Sequence, residues 1–358
     1  MPIIHLSFPI ISQLLNRYSR IIDPGAQPEI LDVISPPCMN LPTHLVKEEL
    51  NVFELKFKEA VQSQAPLLDR IMRYIVKRKG KQLRPLFVLL SAKLCGTIND
   101  SAYRAASLVE ILHTATLVHD DVVDDSNERR GFFSTYALWK TKASVLIGDY
   151  LLAKGLLLTL ENKDYQLLHI LSEAVKKISE GELLQLEKAR NLNINEEVYY
   201  EIIRNKTASL LASACAAGAW ATSQNELFTK RMRRFGELTG MAFQIKDDLF
   251  DYASEEIGKP TGNDLKESKL TLPLIYTLNN TDRSTRRKII YIVKNEKEDK
   301  KKLAWVIEQV TKAGGIEYAT NKMNQFKEEA LAELKQFPES EIRKGLEDMV
   351  VFVTDRKY

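Results

Sequence analysis

The chain has 358 residues, 44% of them hydrophobic, which is ample for a sizeable core in one large domain or two average ones. Its 51 basic residues nearly balance 48 acidic ones, for a net of +3, so bulk charge demands neither nucleic acid nor an anionic surface as partner. Cys38, Cys95 and Cys215 lie far apart with no C-x-x-C pair, which argues against zinc and a disulfide framework and for reduced thiols in the cytoplasm.

Residues 1–42 read as a loosely tied tail. Its start carries Arg17, Arg20 and several apolar residues but no acid, weakly like a transit peptide and lacking the order of a signal peptide. Pro24, Pro28, Pro36, Pro37 and Pro42 then oppose continuous helix, and Met39 is a sensible alternative start. No apolar run approaches the ~20 residues of a membrane span. From 43 to 358 the pattern is that of a single all-α domain, many antiparallel helices around a central cavity. Leu45, Leu50, Phe53, Phe57 and Val61 recur at helical spacing. Further helices are expected at 66–78, 85–95, 101–125, 135–161, 164–190, 196–222, 226–251, 270–281, 283–295, 299–313, 315–336 and 338–355. Pro85 suits a first helical position, and Gly96 stands where a left-handed C-terminal residue is wanted. The main break is 252–268, punctuated by Gly258, Pro260 and Gly262.

Two acidic clusters of one design interrupt this apolar pattern. Asp120-Asp121-Val122-Val123-Asp124, followed by Asp125, ends one helix, and Asp247-Asp248-Leu249-Phe250-Asp251 ends another. Residues four apart share a helix face, so Asp120 and Asp124 point the same way, with Asp121 and Asp125 as a neighbouring acidic row. Like charges there repel, and a helix C-terminus disfavours acids, so the site breaks local rules repeatedly. A solvated acidic cap would explain either cluster alone but not both. Oxygen-only ligands select a hard cation, and Mg²⁺ keeps waters and takes one or two carboxylates plus substrate phosphates. Two facing aspartate walls that grip Mg²⁺ and a phosphate-bearing substrate are therefore expected. Matching cations stand nearby: Lys81 and Arg84 before a helix N-terminus, Arg129 and Arg130 after the first cluster, Lys259 and Lys269 around the turn after the second. His113, two helical turns before Asp120, and His119 read on their own as satisfied helix residues.

The ordered motifs resemble the trans-type polyprenyl diphosphate synthases, over roughly residues 45–355. They run Gly80-Lys81-x-x-Arg84-Pro85, then His113 through Asp120-Asp121-x-x-Asp124 to Arg129-Arg130-Gly131, then Gly148-Asp149 and Gly181-Glu182. Lys206-Thr207, Phe243-Gln244-x-x-Asp247-Asp248-x-x-Asp251, Gly258-Lys259 and Thr271-Leu272-Pro273 complete them. The resemblance implies the isoprenoid synthase fold, a homodimer, and addition of isopentenyl diphosphate to an allylic diphosphate. It implies Mg²⁺ on Asp120, Asp124 and Asp247, three ions with substrate bound, with Asp121, Asp248 and Asp251 completing the catalytic clusters. It further implies an allylic diphosphate gripped by Arg129, Lys206, Lys259 and Lys269, and a cation stabilised near Lys206, Thr207 and Gln244. Isopentenyl diphosphate would be held by Lys81, Arg84, His113 and Arg130. The family often has Gly at Lys79, Arg at Gln82, an acid at Asn263 and Gly at Ser268; every named aspartate is spared.

In that family the residue five before the first Asp helps set the floor under the growing tail. Here it is Ala115, ~7.5 Å below the metals, with Ile111 and Thr116 beside it. No Phe or Tyr stands between Ala105 and Val118, which points to a long, all-trans product of heptaprenyl to decaprenyl class for quinone side chains. Ala115→Tyr is then expected to shorten it, unless another helix, around 151–158, supplies the plug. The rivals are a short-chain farnesyl or geranylgeranyl diphosphate synthase, a terpene cyclase, a non-catalytic subunit of a heteromeric synthase, and a helical scaffold with acidic patches. No nucleic acid partner is expected, and at most peripheral membrane contact for product release.

Overall fold

The computed structural model describes residues 41–77, 82–129, 132–191, 195–252, 263–267 and 269–356. The tail with Met39, and Lys79, Lys81, Arg130, Gly131, Gly258, Lys259, Pro260, Gly262 and Ser268, lie outside the described residues.

Helix dominates, as the periodicity predicts. A 3₁₀ turn, Thr43–Val46, leads into α1 (Lys47–Ala60), α2 (Pro66–Lys77), α3 (Leu83–Cys95), α4 (Asp100–Val123), α5 (Thr135–Glu161), α6 (Tyr165–Asn191) and α7 (Glu196–Ile203). Then come α8 (Ser209–Ser223), α9 (Glu226–Phe250), a single turn at Asn263–Lys266, α10 (Leu272–Asn279), α11 (Arg283–Asn295), α12 (Lys300–Lys312), α13 (Gly315–Leu334) and α14 (Glu341–Asp355). Polar residues start these helices as local chemistry requires. Asn99 accepts from the Ala102 amide, Asn225 from Leu227 and Phe228, Asp282 from Ser284 and Thr285, and Ser340 from Arg343. Each such cap is worth ~1 kcal/mol. Among the described residues the only strands are β1 (Glu128–Arg129) and β2 (Phe132–Phe133), an antiparallel pair with Arg129 opposite Phe132.

α4 is apolar nearly all round, and Ala105, Leu108, Val109, Ile111 and Ala115 are buried, so it runs through the interior rather than over it. It packs on α5, while α9 lies against α8 and α13 and α3 against α8. One apolar cluster joins Phe53, Phe87, Leu108, Cys215 and Phe235; a second joins Met241 and Ile245 to Leu274, Ile289, Val306 and Ala319. α9 contributes to both, so its C-terminal end, which carries the second aspartate cluster, is fixed between two cores.

Several local expectations need correction. α3 starts at Leu83, so Pro85 is its third residue; the whole first turn lacks intrahelical partners for its amides, and proline is tolerated there. Gly96 has φ 172°, extended rather than left-handed; its role is close approach, since a Cβ would stand 3.1 Å from Thr222 Cβ and carbonyl oxygen. α4 ends at Val123, and Asp125 turns to φ 48°, so Asp121 and Asp125 do not form a continuing helical row. The expected helix 196–222 forms without interruption but takes in a π turn at Arg204–Ala208. Leu41, expected in the tail, packs against the core.

The expectation that no segment is long and apolar enough to span a membrane also fails: α5, 27 residues long, passes by length and composition. Lys140, Lys142, Asp149 and Lys154 interrupt its apolar residues singly and hide the trend in sequence. Leu138, Val145, Leu146, Leu157 and Leu160 on this helix are exposed.

Candidate active site

At the end of α4 the first cluster divides. Asp121 is buried and accepts from Arg129 Nε at 2.6 Å, the arginine being carried by β1. Burial raises its pKa, against the opposing pull of that hydrogen bond. Asp120 faces the other way, toward α6. Burial first, and then the charges of Glu182 and Asp124, push its carboxyl up to about 6, although Lys206 and Arg129 act in the opposite sense. Asp124 follows the helix and donates its amide to the Asp120 carbonyl.

The second cluster divides in the same way. Asp248 is buried and accepts from Tyr199 OH at 2.7 Å and Gln244 Nε2 at 2.8 Å. Burial dominates and pushes it up to about 7. Asp247 is half-exposed and meets Arg356 Nη2 at 2.6 Å, a guanidinium that also lies 4.4 Å from the Phe243 ring centroid. Asp251 accepts from the Asp264 amide at 3.1 Å. Burial, then the Asp251 charge, push the Asp264 side chain up to about 6.

The cationic and hydroxyl groups come from the π turn, where Ser209 N–H reaches back five residues to the Arg204 carbonyl. The extra residue per turn swings Lys206 and Thr207 away from the path of a regular helix, and such turns recur at functional sites. The turn fits because α6 offers Gly181 beneath it: a Cβ there would stand 2.9 Å from both Asn205 Cβ and Lys206 N. Lys206 Nζ then lies 2.6 Å from Glu182 Oε1. Thr207 donates to Gln244 Oε1 at 2.7 Å, so Thr207, Gln244, Asp248 and Tyr199 form one hydrogen-bonded chain.

A cavity of about 190 Å³ gathers Lys206, Thr207, Gln244, Asp247, Asp264 and Lys269. The first cluster borders the same charged region: Asp120 interacts with Lys206, and Asp124 with Lys269. Burial weakens the Lys269 ammonium, but its neighbours Glu267, Asp264 and Asp124 more than offset this and raise its pKa. A second cavity, about 110 Å³, is lined by His113, Asp121, Arg129 and Phe132. Arg84 Nη1 stands 2.8 Å from His113 Nε2; a guanidinium only donates, so the imidazole nitrogen accepts. His113 is thus tied to Arg84. His119 faces Asp149 at 3.5 Å. Ala115 and Ile111 are buried below the aspartates, and the Thr116 hydroxyl turns back to the His113 carbonyl. The expected ligands Lys81, Arg130 and Lys259 lie outside the described residues.

The donor chemistry fits Mg²⁺ in an open site. The candidates are carboxylate oxygens on two walls, and among the described residues no three acidic, imidazole or thiol groups converge on one point. A cation that retains waters and substrate phosphates needs no closed protein cage.

Four further groups belong to the site, Glu182, Asp264, Tyr199 and Arg356. Glu182 was visible within Gly181-Glu182, and Asp264 as an acid just after the break. Tyr199 and Arg356 carried no signal, since they meet Asp248 and Asp247 only through packing, 49 and 109 residues away in sequence.

The polyprenyl synthetase family model matches residues 65–310. An all-trans-nonaprenyl-diphosphate synthase (geranyl-diphosphate specific) from Rhodobacter capsulatus is 35% identical over 314 residues, covering 87% of this chain and 96% of its own. Among solved structures, a polyprenyl synthase from Caulobacter crescentus CB15, complexed with calcium and isoprenyl diphosphate, superposes with a TM-score of 0.81 at 32% identity, covering 88% of this chain and 97% of its own. A geranylgeranyl pyrophosphate synthase from Bacteroides thetaiotaomicron has a TM-score of 0.74 at 38% identity, with 88% and 98% coverage.

Proposed function

The chain belongs to the polyprenyl synthetase family, and from that premise we propose that it condenses isopentenyl diphosphate with an allylic diphosphate to build a long all-trans polyprenyl diphosphate. The observation that carries this reading is the convergence of both aspartate walls, Lys206 and Lys269 on one charged region.

Asp120, Asp124 and Asp247 are the side chains that would hold Mg²⁺, three ions with substrate bound. Bound Mg²⁺ supplies Lewis-acid polarisation of the departing diphosphate. Lys206, Lys269 and Arg129 neutralise the charge that gathers on that leaving group. Asp248, kept in place by Tyr199, orients the Gln244 amide, which in turn fixes the Thr207 hydroxyl. Their dipoles are set before the allylic carbon becomes cationic, so no reorganisation is needed at that moment. Arg84 and His113, with Lys81 and Arg130, hold isopentenyl diphosphate so that its double bond meets the cation. One C–O bond breaks, one C–C bond forms and one proton leaves, which restores an allylic diphosphate for another cycle.

Absence of any Phe or Tyr between Ala105 and Val118 favours a heptaprenyl to decaprenyl product. Geranylgeranyl length is the second reading, favoured by the likeness to a synthase of that name. A second copy of the chain covers the exposed leucines of α5, giving a cytoplasmic homodimer that touches membrane only peripherally as product leaves. Incubation with labelled isopentenyl diphosphate, farnesyl diphosphate and Mg²⁺ should yield a ladder of polyprenyl diphosphates. Primer recovered unextended, with Mg²⁺ present, rejects the proposal.

A further inference from the structure

The near-neutral bulk charge conceals one lopsided helix. α11 carries Arg283, Arg286, Arg287, Lys288 and Lys294 and no acid, +5 in 13 residues against +3 for the whole chain. At about 3.6 residues per turn, Arg283, Arg287, Tyr291 and Lys294 share one strip of it. The opposite side, Ile289, Ile292 and Val293, is buried in the second apolar cluster. All four residues of the strip are exposed, Tyr291 in its middle at 54%. Local rules are broken here as they are at the aspartate clusters. Three arginines crowd the N-terminal end, where the macrodipole disfavours cations. Arg283 also faces Arg286 and Arg287 at three and four residues, a repulsive spacing. Asp282 caps the helix by accepting from the Ser284 and Thr285 amides and pairs with none of them. Among the described residues, none of the five cations stands within ion-pairing distance of a carboxylate; Lys288 lies instead over the Trp305 ring, 3.9 Å from its centroid. Solvated helix faces elsewhere mix signs: Lys176 pairs with Glu180, Lys230 with Glu226 and Lys312 with Glu308.

We infer that this outer face of α11 is a docking surface for anionic phospholipid, which holds the enzyme against the bilayer that takes up its product. A strip on one helix, backed by a packed core, presents its charge to a plane. A half-exposed tyrosine at its centre matches the depth of lipid headgroups, where such rings collect. Anionic lipid attracts each basic residue near its surface, an effect worth roughly fivefold in binding per residue. The choice of lipid rests on the proposed prenyl transfer, whose long hydrocarbon product leaves water for a bilayer; the unanswered charge does not. α11 is backed by the second apolar cluster and α5 by the first, so a dimer closed through the α5 leucines does not call on this strip.

The test is co-sedimentation of the full chain with vesicles of phosphatidylcholine alone and of phosphatidylcholine mixed with phosphatidylglycerol. The wild type should bind the mixed vesicles and not the neutral ones, and 1 M salt, which screens charge within ~3 Å, should release it. Arg283→Gln/Arg287→Gln/Lys294→Gln should weaken binding about a hundredfold, three residues at roughly fivefold each. Lys176→Gln/Lys230→Gln/Lys335→Gln removes the same charge from other exposed sites and should bind like the wild type. Equal binding to both vesicles, no binding to either, or equal loss in the two triple variants overturns the inference. Tighter binding to a DNA duplex than to mixed vesicles, lost in the α11 variant, overturns it in favour of nucleic acid. If the α11 triple does not fold, Lys294→Gln decides alone: roughly fivefold weaker binding supports the strip, and unchanged binding overturns it. Primer extension in detergent, without vesicles, should be the same for wild type and the α11 triple. Failure of the wild type to extend primer there strikes the proposed function and leaves the vesicle result standing.

Discussion

The two aspartate clusters share one spelling and one division of labour, but they are neutralised by different means. In each, the second aspartate turns inward and the first faces the shared charged region. Asp121 turns onto Arg129, a full positive charge only eight residues away. Asp248 turns onto a phenol and an amide, both neutral and both drawn from the packed interior. A buried carboxylate with a cationic partner keeps its charge more readily than one with neutral donors alone. The first wall is therefore an electrostatic assembly, and the second a hydrogen-bonded one that also aligns Gln244 and Thr207. A repeated motif marks where a cation is held; the partners of its inner aspartate decide what else each copy does.

The comparison is broken most directly at its outward members. Asp120→Asn and Asp247→Asn should each lower kcat/KM by ~10²–10³, the usual size for loss of one preorganised electrostatic group. Comparable losses support equivalent walls; a wild-type rate for either variant removes that wall from the chemistry. Next come the inner partners. Tyr199→Phe leaves buried Asp248 short of a donor and should cost ~1–3 kcal/mol in urea unfolding. Arg129→Ala strands the buried Asp121 carboxylate without its cation and should also cost ~1–3 kcal/mol, even though the arginine itself is about a third exposed. Added salt should shrink the Arg129 effect and leave the Tyr199 effect unchanged; an equal salt response would erase the distinction drawn between the walls.

Acid–base behaviour sharpens it further. The folded carboxyls of Asp120, Asp248 and Asp264 lie at about 6, 7 and 6, above the ordinary ~3.9 of an unfolded aspartate. The folded chain thus holds more protons than the unfolded chain between about 4 and 7, and stability must fall as pH rises through that window. Thermal melts of the metal-free protein should show this decline, and Asp248→Asn should flatten its upper part. Melting temperatures that climb from pH 4 to 7 would contradict the assigned burial. The smallest effect is expected at Arg356. Its ion pair occupies Asp247, so Arg356→Ala should tighten Mg²⁺ binding by no more than ~1 kcal/mol in calorimetry; weaker binding would instead make Arg356 a support of the site.

Much of the molecule is legible in its letters because the relevant forces are local. Apolar residues at 3.6-residue spacing, with Asn, Asp and Ser at the starts, specify α4, α9 and their neighbours to within a few residues. Two acid-rich helix ends, poor choices for helix stability, single out the site. Other features depend on which surfaces meet. Gly181 against Asn205 permits the π turn that presents Lys206, and no spacing rule announces it. Thr222 explains Gly96, Tyr199 claims Asp248, and Arg356 reaches Asp247 from the far end of the chain. Local propensity thus wrote the helices and the places where charge had to be answered. The answering partners came only from packing, because burial and close approach are properties of surfaces brought together from distant parts of the chain.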